Sequence, residues 1–485
     1  MSEQARGAVG DPNEIDPRVF PATARRGREC GQLKLGGIRA GDLVERFGSP
    51  LYVLDEGVAR ERARETREAL QSEFARVGAE AAVYYAGKAF LCVEVVRWMA
   101  DEGLGVDVAS GGELAVALAA GIAPDRLGFH GNNKSEAEIA QAVSAGVGTI
   151  VIDSEQEIER VAAAALAAGR VQRVRLRVNS GVHASTHDFL ATSHEDQKFG
   201  VPLASAPGLA SRIGSHAALE FVGLHCHIGS QIFATEGFRE SARRLLGAYP
   251  ALAEAVGHPI PELNLGGGFG IAYTSGQADE APEIRRVAAE LADIVAETCA
   301  ESGIALPKVA FEPGRSIIGP AGVTLYTVGT TKAVALAGTA PLDGADAPFS
   351  ERHGVEEPFS ERLYVSVDGG MSDNLRPALY GADYQVRIAN RASTAAPALV
   401  RVVGKHCESG DIVVQRDVLP GDVAPGDLLA VAATGAYCWS MSSNYNYVPR
   451  PPVVAVRDGE ARVIVRGETV DELVVKSVIE PLERP

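Results

Sequence analysis

Residues 81–90 read Ala81-Ala82-Val83-Tyr84-Tyr85-Ala86-Gly87-Lys88-Ala89-Phe90, an apolar run that gives way, at a glycine and a lysine, to a segment of helical periodicity. A lysine at the carboxyl end of a buried strand is partly desolvated, so its amine can lose a proton near neutral pH and form a Schiff base with a carbonyl. In isolation such a lysine is more often a surface residue whose stem covers apolar neighbours. Outward from it, short apolar runs recur at 81–86, 105–109, 127–130, 149–153, 173–178, 221–227, 262–265 and 308–312. Most are followed by an apolar stripe at helical spacing, as at 90–102, 112–120, 136–145 and 155–168. These eight β-then-α units predict an α/β fold of the closed (β/α)8 TIM type, in which chemistry gathers at the carboxyl ends of the strands. An open doubly wound sheet would carry a dinucleotide-type glycine pattern in its first turn, where this chain has Lys88.

Beyond about residue 320 helical periodicity fades. Valine-rich alternating runs take over at 323–328, 363–367, 398–403, 411–415, 427–432, 453–456 and 461–465, which predicts a mostly antiparallel β domain. The expected organisation is a mobile N-terminus (1–54) whose segment near Leu51 joins the β domain, a barrel over 55–320, and the β domain over 321–485. The repeat Pro348-Phe349-Ser350-Glu351-Arg352 and Pro358-Phe359-Ser360-Glu361-Arg362 reads as a surface loop inserted near 340–362.

The chain has 485 residues, 46% hydrophobic and 22% charged, an ordinary balance for a globular protein of two or more domains. A formal charge of −17 argues against nucleic acid or an anionic membrane as partner. No apolar stretch reaches spanning length and the N-terminus lacks a secretion signal, so the expected location is the cytoplasm. Six cysteines without CxxC pairs indicate neither a disulfide framework nor a zinc site, and no metal is expected.

The strand ends, read in order, deliver Lys88, Asp107, His227 within Leu224-His225-Cys226-His227-Ile228-Gly229-Ser230-Gln231, the run Gly266-Gly267-Gly268-Phe269-Gly270, and Glu312-Pro313-Gly314-Arg315. Bare glycine N–H groups can approach a phosphate closely, though glycine runs are more often plain turns. Of His225 and His227, one is expected in the core and one at the mouth. Glu312 and Arg315 taken alone read as an ion pair. An imine-forming amine, a phosphate cradle, a carboxylate for a pyridine nitrogen and an imidazole for stacking together describe a pyridoxal 5'-phosphate site.

These motifs, with Asn374-Leu375-Arg376-Pro377-Ala378-Leu379-Tyr380, Cys407-Glu408-Ser409-Gly410-Asp411 and Gly435-Ala436-Tyr437 followed by Met441-Ser442-Ser443-Asn444-Tyr445-Asn446, occur in an order that resembles the diaminopimelate decarboxylases. That family belongs to the barrel-type, alanine-racemase-like pyridoxal-phosphate decarboxylases. The resemblance runs from about Leu51 to beyond Arg450. It implies that Lys88 is the Schiff-base lysine, that His227 lies over the cofactor ring, and that Glu312 partners the pyridine nitrogen. It also implies phosphate-side contacts from Ser230, Gly266, Gly267, Gly268 and Gly314, makes Tyr437 the tyrosine near cofactor phosphate and substrate, and counts Asp107 and Arg315 among the cofactor-binding residues. Arg315, Arg376 and Tyr380 resemble the groups that grip substrate carboxylates, Glu408 the acceptor for the distal amine, and Cys407 the acid that returns a proton after carbon dioxide leaves.

In this family the Cys-Glu-Ser segment enters the neighbouring subunit, which implies a homodimer with shared sites. The activity implied is conversion of meso-diaminopimelate to L-lysine. A related decarboxylase of ornithine, arginine or another amino acid, or a non-catalytic regulator or vitamin carrier on the same barrel, are the alternatives. The pattern departs at Ser180, where proline is expected.

Overall fold

The computed structural model describes residues 11–27, 31–182, 198–336 and 359–477. Cys30, the segment 183–187 that follows Ser180, and most of the loop near 340–362 lie outside these residues. The chain divides into two compact units, one of Ala59–Ile271 with Glu280–Ile318, the other of the residues up to Val58 with Ala272–Asp279 and Gly319 onward.

The first unit is a closed barrel of eight parallel strands: β1 (Ala81–Ala86), β2 (Gly105–Val108), β3 (Leu127–Phe129), β4 (Thr149–Ile152), β5 (Gln172–Asn179), β6 (Leu219–His225), β7 (Glu262–Asn264) and β8 (Lys308–Phe311). Closure is made where Val309, Ala310 and Phe311 of β8 pair with Ala81, Ala82 and Val83 of β1. Strands covered on both faces read as continuous apolar runs, and β3 and β4 are buried at every residue. The intervening helices carry their own start and stop signals. Ser135 and Glu138 form a reciprocal capping box at Glu136–Ala145, and Gly146 ends that helix in the left-handed region at φ 85°.

One helix starts later than its periodicity predicts. After β1 the chain makes a single 3-10 turn, Gly87–Ala89, stays extended at Phe90, and enters the helix only at Val93–Asp101. The Tyr85 hydroxyl donates to the Phe90 carbonyl at 2.7 Å, a clasp that holds the turn carrying Lys88 out of helical geometry.

In the second unit the long strand Gly322–Ala335 pairs antiparallel with Leu51–Asp55, Leu428–Ala432 and Glu361–Val367. Parallel pairs occur where Leu51–Asp55 meets Val453–Arg457 and Glu361–Val367 meets Pro397–Val403, so the sheet is mixed but mostly antiparallel. The second copy of the sequence repeat runs into a strand, because Glu361 and Arg362 already pair with Ala335 and Val334. Within residues 11–27, Val19 and Phe20 are buried apolar side chains in an otherwise mostly polar stretch. Among the described residues no helix is long and apolar enough to cross a membrane.

Candidate active site

The mouth of the barrel encloses a cavity of about 280 Å³ lined by Lys88, Asp107, His130, His225, His227 and Glu312, with Glu113, Arg177, Phe199 and Gly229 among the other lining residues. Apart from Glu113, which lies in the helix Gly111–Ala119, the polar groups sit on or just past a strand: Lys88 after β1, Asp107 on β2, His130 after β3, Arg177 on β5, His225 and His227 at and beyond the end of β6, and Glu312 directly after β8. Parallel pairing brings these ends side by side, with Asp107 opposite Ala86 and Asn264 opposite both His225 and Ala310.

Lys88 is exposed, but into the cavity rather than to bulk water. Desolvation lowers its pKa, against the pull of the Glu312 carboxylate. Burial also lowers the three imidazoles, His130 and His225 to about 4 and His227 to about 3, so all three are neutral at pH 7. The two carboxyls part ways. Burial and then the Glu312 charge raise Asp107 well above the carboxylate range. Burial pushes Glu312 up too, but the imidazoles of His225 and His130 and the His225 hydrogen bond outweigh it and hold the group well below that range. The two carboxyls are pushed in opposite directions, Asp107 toward the protonated form and Glu312 toward the anion.

Glu312 is closely held. Asn264 Nδ2 donates to Glu312 Oε1 at 2.6 Å, His225 Nε2 lies 3.2 Å from the carboxylate, and His130 Nε2 is 3.4 Å from Oε1 and 3.3 Å from Asp107 Oδ1. Both oxygens of Asp107 and the Nδ1 atoms of His225 and His227 are buried without a hydrogen-bond partner among the described residues.

Ser230, Gly266, Gly267, Gly268, Gly314 and Arg315 do not line the cavity, but the glycines crowd against residues that do. A Cβ on Gly266 would fall 3.2 Å from His227 Cβ, and one on Gly268 would fall 2.4 Å from the carbonyl oxygen of Gly229. One on Gly314 would fall 3.0 Å from Ala86. Gly266 and Gly268 have φ of 68° and 104°, values that side chains rarely adopt. The N–H groups of Gly267, Gly268 and Gly314 make no hydrogen bond among the described residues. Arg315 donates to Ser230 Oγ at 2.8 Å.

The remaining predicted residues belong to the second unit. Arg376 opens the short helix Arg376–Tyr380. It is buried, donates to the Tyr384 hydroxyl, and lies over the Tyr273 ring at 4.6 Å, while Tyr380 is exposed. Cys407 and Glu408 stand exposed on a turn braced from both sides. His406 N–H donates to Asp411 Oδ2 at 2.7 Å, and Asn446 Oδ1 accepts from the Cys407 N–H at 3.3 Å. Tyr437 sits at φ 65°.

One expectation fails. His225 and His227 do not divide between core and mouth, since both line the cavity, as alternate residues of an extended chain lie on the same side. Sequence reading also passed over His130, Glu113, Arg177 and Asn264. The signal for Arg177 was present in the alternation Arg173, Arg175, Arg177 along β5. Asn264 carried none beyond its place before the glycine run.

Residues 60–319 match the family model described as the pyridoxal-binding domain of pyridoxal-dependent decarboxylases. Over 468 residues, 95% of this chain and 97% of the relative, the chain is 49% identical to the diaminopimelate decarboxylase of Mycobacterium tuberculosis. The chain belongs to the diaminopimelate decarboxylase family. The Bacillus subtilis member is 41% identical over 94% of this chain and 97% of its own length. The crystal structure of the M. jannaschii member in complex with L-lysine superposes with a TM-score of 0.81 at 30% identity, covering 95% of this chain and 98% of that one.

Proposed function

We propose that this chain decarboxylates meso-diaminopimelate to L-lysine and carbon dioxide, with pyridoxal 5'-phosphate as cofactor in the barrel mouth. The observation that carries the reading is the pairing, in one cavity, of an amine with a lowered pKa, Lys88, and a carboxyl pushed toward its anionic form, Glu312. The donor set fits such a group. Three unspent glycine N–H groups suit a phosphate, a buried anion suits a protonated ring nitrogen, and the unpartnered imidazole of His227 suits a flat face.

When bound, the cofactor supplies an electron-withdrawing ring that accepts the electron pair left behind by carbon dioxide. Lys88 provides the amine that tethers it. Gly266, Gly267, Gly268, Gly314 and Ser230 hold the phosphate, and Glu312 accepts from the ring nitrogen. Asp107 adds a further cofactor contact from the cavity wall, and Tyr437 serves the phosphate side and the substrate. Arg315, Arg376 and Tyr380 would grip substrate carboxylates and so orient the substrate for loss of one of them. Glu408 accepts from the distal amine, and Cys407 returns a proton to the carbon that lost carbon dioxide.

The working form in this reading is a homodimer in which each protomer lends Cys407 and Glu408 to its partner. Support comes from their exposure on a braced turn beside the exposed rings of Tyr445 and Tyr447. The cytoplasm is the expected compartment, in keeping with cysteines that are free thiols at all five described positions. Carbon dioxide release from meso-diaminopimelate, its stereoisomers, L-lysine, L-ornithine and L-arginine tests the substrate. Turnover confined to the meso isomer is expected, and a preference for lysine, ornithine or arginine overturns the assignment.

A further inference from the structure

Glu312 is fixed by groups that carry no charge. Asn264, the last residue of β7, is fully buried, and its side chain reaches in two directions. Its Oδ1 accepts from the Gly266 N–H at 2.8 Å, and its Nδ2 donates to Glu312 Oε1 at 2.6 Å. The Gly266 carbonyl in turn accepts from the Glu312 N–H at 2.8 Å, so side chain and backbone close one ring of hydrogen bonds between the glycine run and the carboxylate. On the other side stands His225. Its Nδ1 has no partner among the described residues and its Nε2 faces Glu312 at 3.2 Å, so the neutral ring places its single proton on Nε2 and donates it to the carboxylate.

We propose that Asn264 and His225 are positioning residues that aim the Glu312 carboxylate at the cofactor's ring nitrogen without neutralising it, Asn264 also locking that carboxylate to the glycine cradle for the phosphate. The inference rests on the cofactor reading above. An arginine in either place would orient Glu312 equally well, but it would cancel the charge that a protonated ring nitrogen needs. An amide and a neutral imidazole supply geometry and leave the full anion. Through Asn264, the two ends of the cofactor are held in register by one side chain.

The test measures cofactor affinity and the visible spectrum of the bound cofactor in the wild type, Asn264→Ala, His225→Phe and His225→Gln, with the melting temperature of the cofactor-free proteins as control. Gln carries an amide donor near the position of Nε2, and Phe carries none. The expected result is cofactor binding weaker by roughly tenfold to a hundredfold in Asn264→Ala and His225→Phe, the range for a lost hydrogen bond to a charged group. Both should show a displaced visible band, and His225→Gln should stay within about threefold of the wild type. Asn264→Ala and His225→Phe that bind as tightly as the wild type with an unchanged band overturn the inference. So does a Gln variant as impaired as the Phe variant. A wild-type protein that takes up no pyridoxal phosphate instead removes the cofactor reading on which the inference stands.

Discussion

The α-carbon of Gly267 faces the backbone carbonyl of Glu312 so closely that a methyl group there would lie 2.1 Å from its oxygen. The neighbour is backbone, which cannot swing away. Gly267→Ala therefore forces β7 and β8 apart just where the glycine cradle meets the carboxylate. The expected cost is about 1–3 kcal/mol of stability, the usual range for overpacking. Pyridoxal phosphate affinity should fall with it, measured by fluorescence titration of the cofactor-free protein. Wild-type affinity in this variant would mean that the two strand ends part without disturbing the cradle.

Lys134 and Glu157 form a buried ion pair at 2.6 Å, and Lys134 Nζ also donates to the carbonyls of Gly131 and Val151 at 2.7 Å each. Removing the cation leaves an uncompensated carboxylate in the barrel wall. Lys134→Met is expected to cost about 3–5 kcal/mol. Adding Glu157→Gln, which keeps an acceptor for the Asp153 N–H bound at 2.7 Å, should recover much of that loss. Urea denaturation of the single and double variants checks both statements.

Burial pushes the Asp373 carboxyl up to about 7, against the hydrogen bonds from the Tyr326 hydroxyl and the Gly370 N–H. In the unfolded chain such a group titrates near the ordinary value of about 4. Between about pH 4 and 7 the folded state therefore binds a proton that the unfolded state has released, and stability falls as pH rises through this window. The substitution Asp373→Asn mimics the protonated form, with the new amide facing Tyr326 and its oxygen facing Gly370. The prediction is that Asp373→Asn loses less stability than the wild type on going from pH 5 to pH 8, read from denaturation midpoints. Parallel curves for the two proteins would refute it.

A shared site makes two inactive proteins complement each other. Lys88→Ala and Cys407→Ala should each lack turnover as homodimers. Mixed after dissociation, they should regain activity up to about a quarter of the wild type, because half of randomly paired dimers are hybrids with one intact site of two. Activity that stays absent after proven hybrid formation excludes the exchange of Cys407 between protomers.

Most of the eight strands were legible because parallel strands buried on both faces write themselves as apolar runs, and residues within or just past those runs include Lys88, Asp107, His227 and Glu312. What the sequence hides is lateral. His225, Asn264 and Glu312 are far apart in the chain and meet only because β6, β7 and β8 are neighbours in register. No local spacing announces that contact. The delayed helix at Val93 escaped for a similar reason, since its cause is a tyrosine hydroxyl reaching forward to Phe90, which periodicity does not encode. Val19 and Phe20 were masked by the polar residues around them.

The seam between β1 and β8 has a temporal side. Lys88 and Glu312 follow the first and last barrel strands, 224 positions apart in the sequence, and they are brought together only when that seam is zipped. A polypeptide still emerging from the ribosome owns the amine long before it owns the carboxylate or the cradle. On the proposed function, cofactor capture would be a late event in biogenesis, and fragments cut short of β8 would lack the carboxylate it needs.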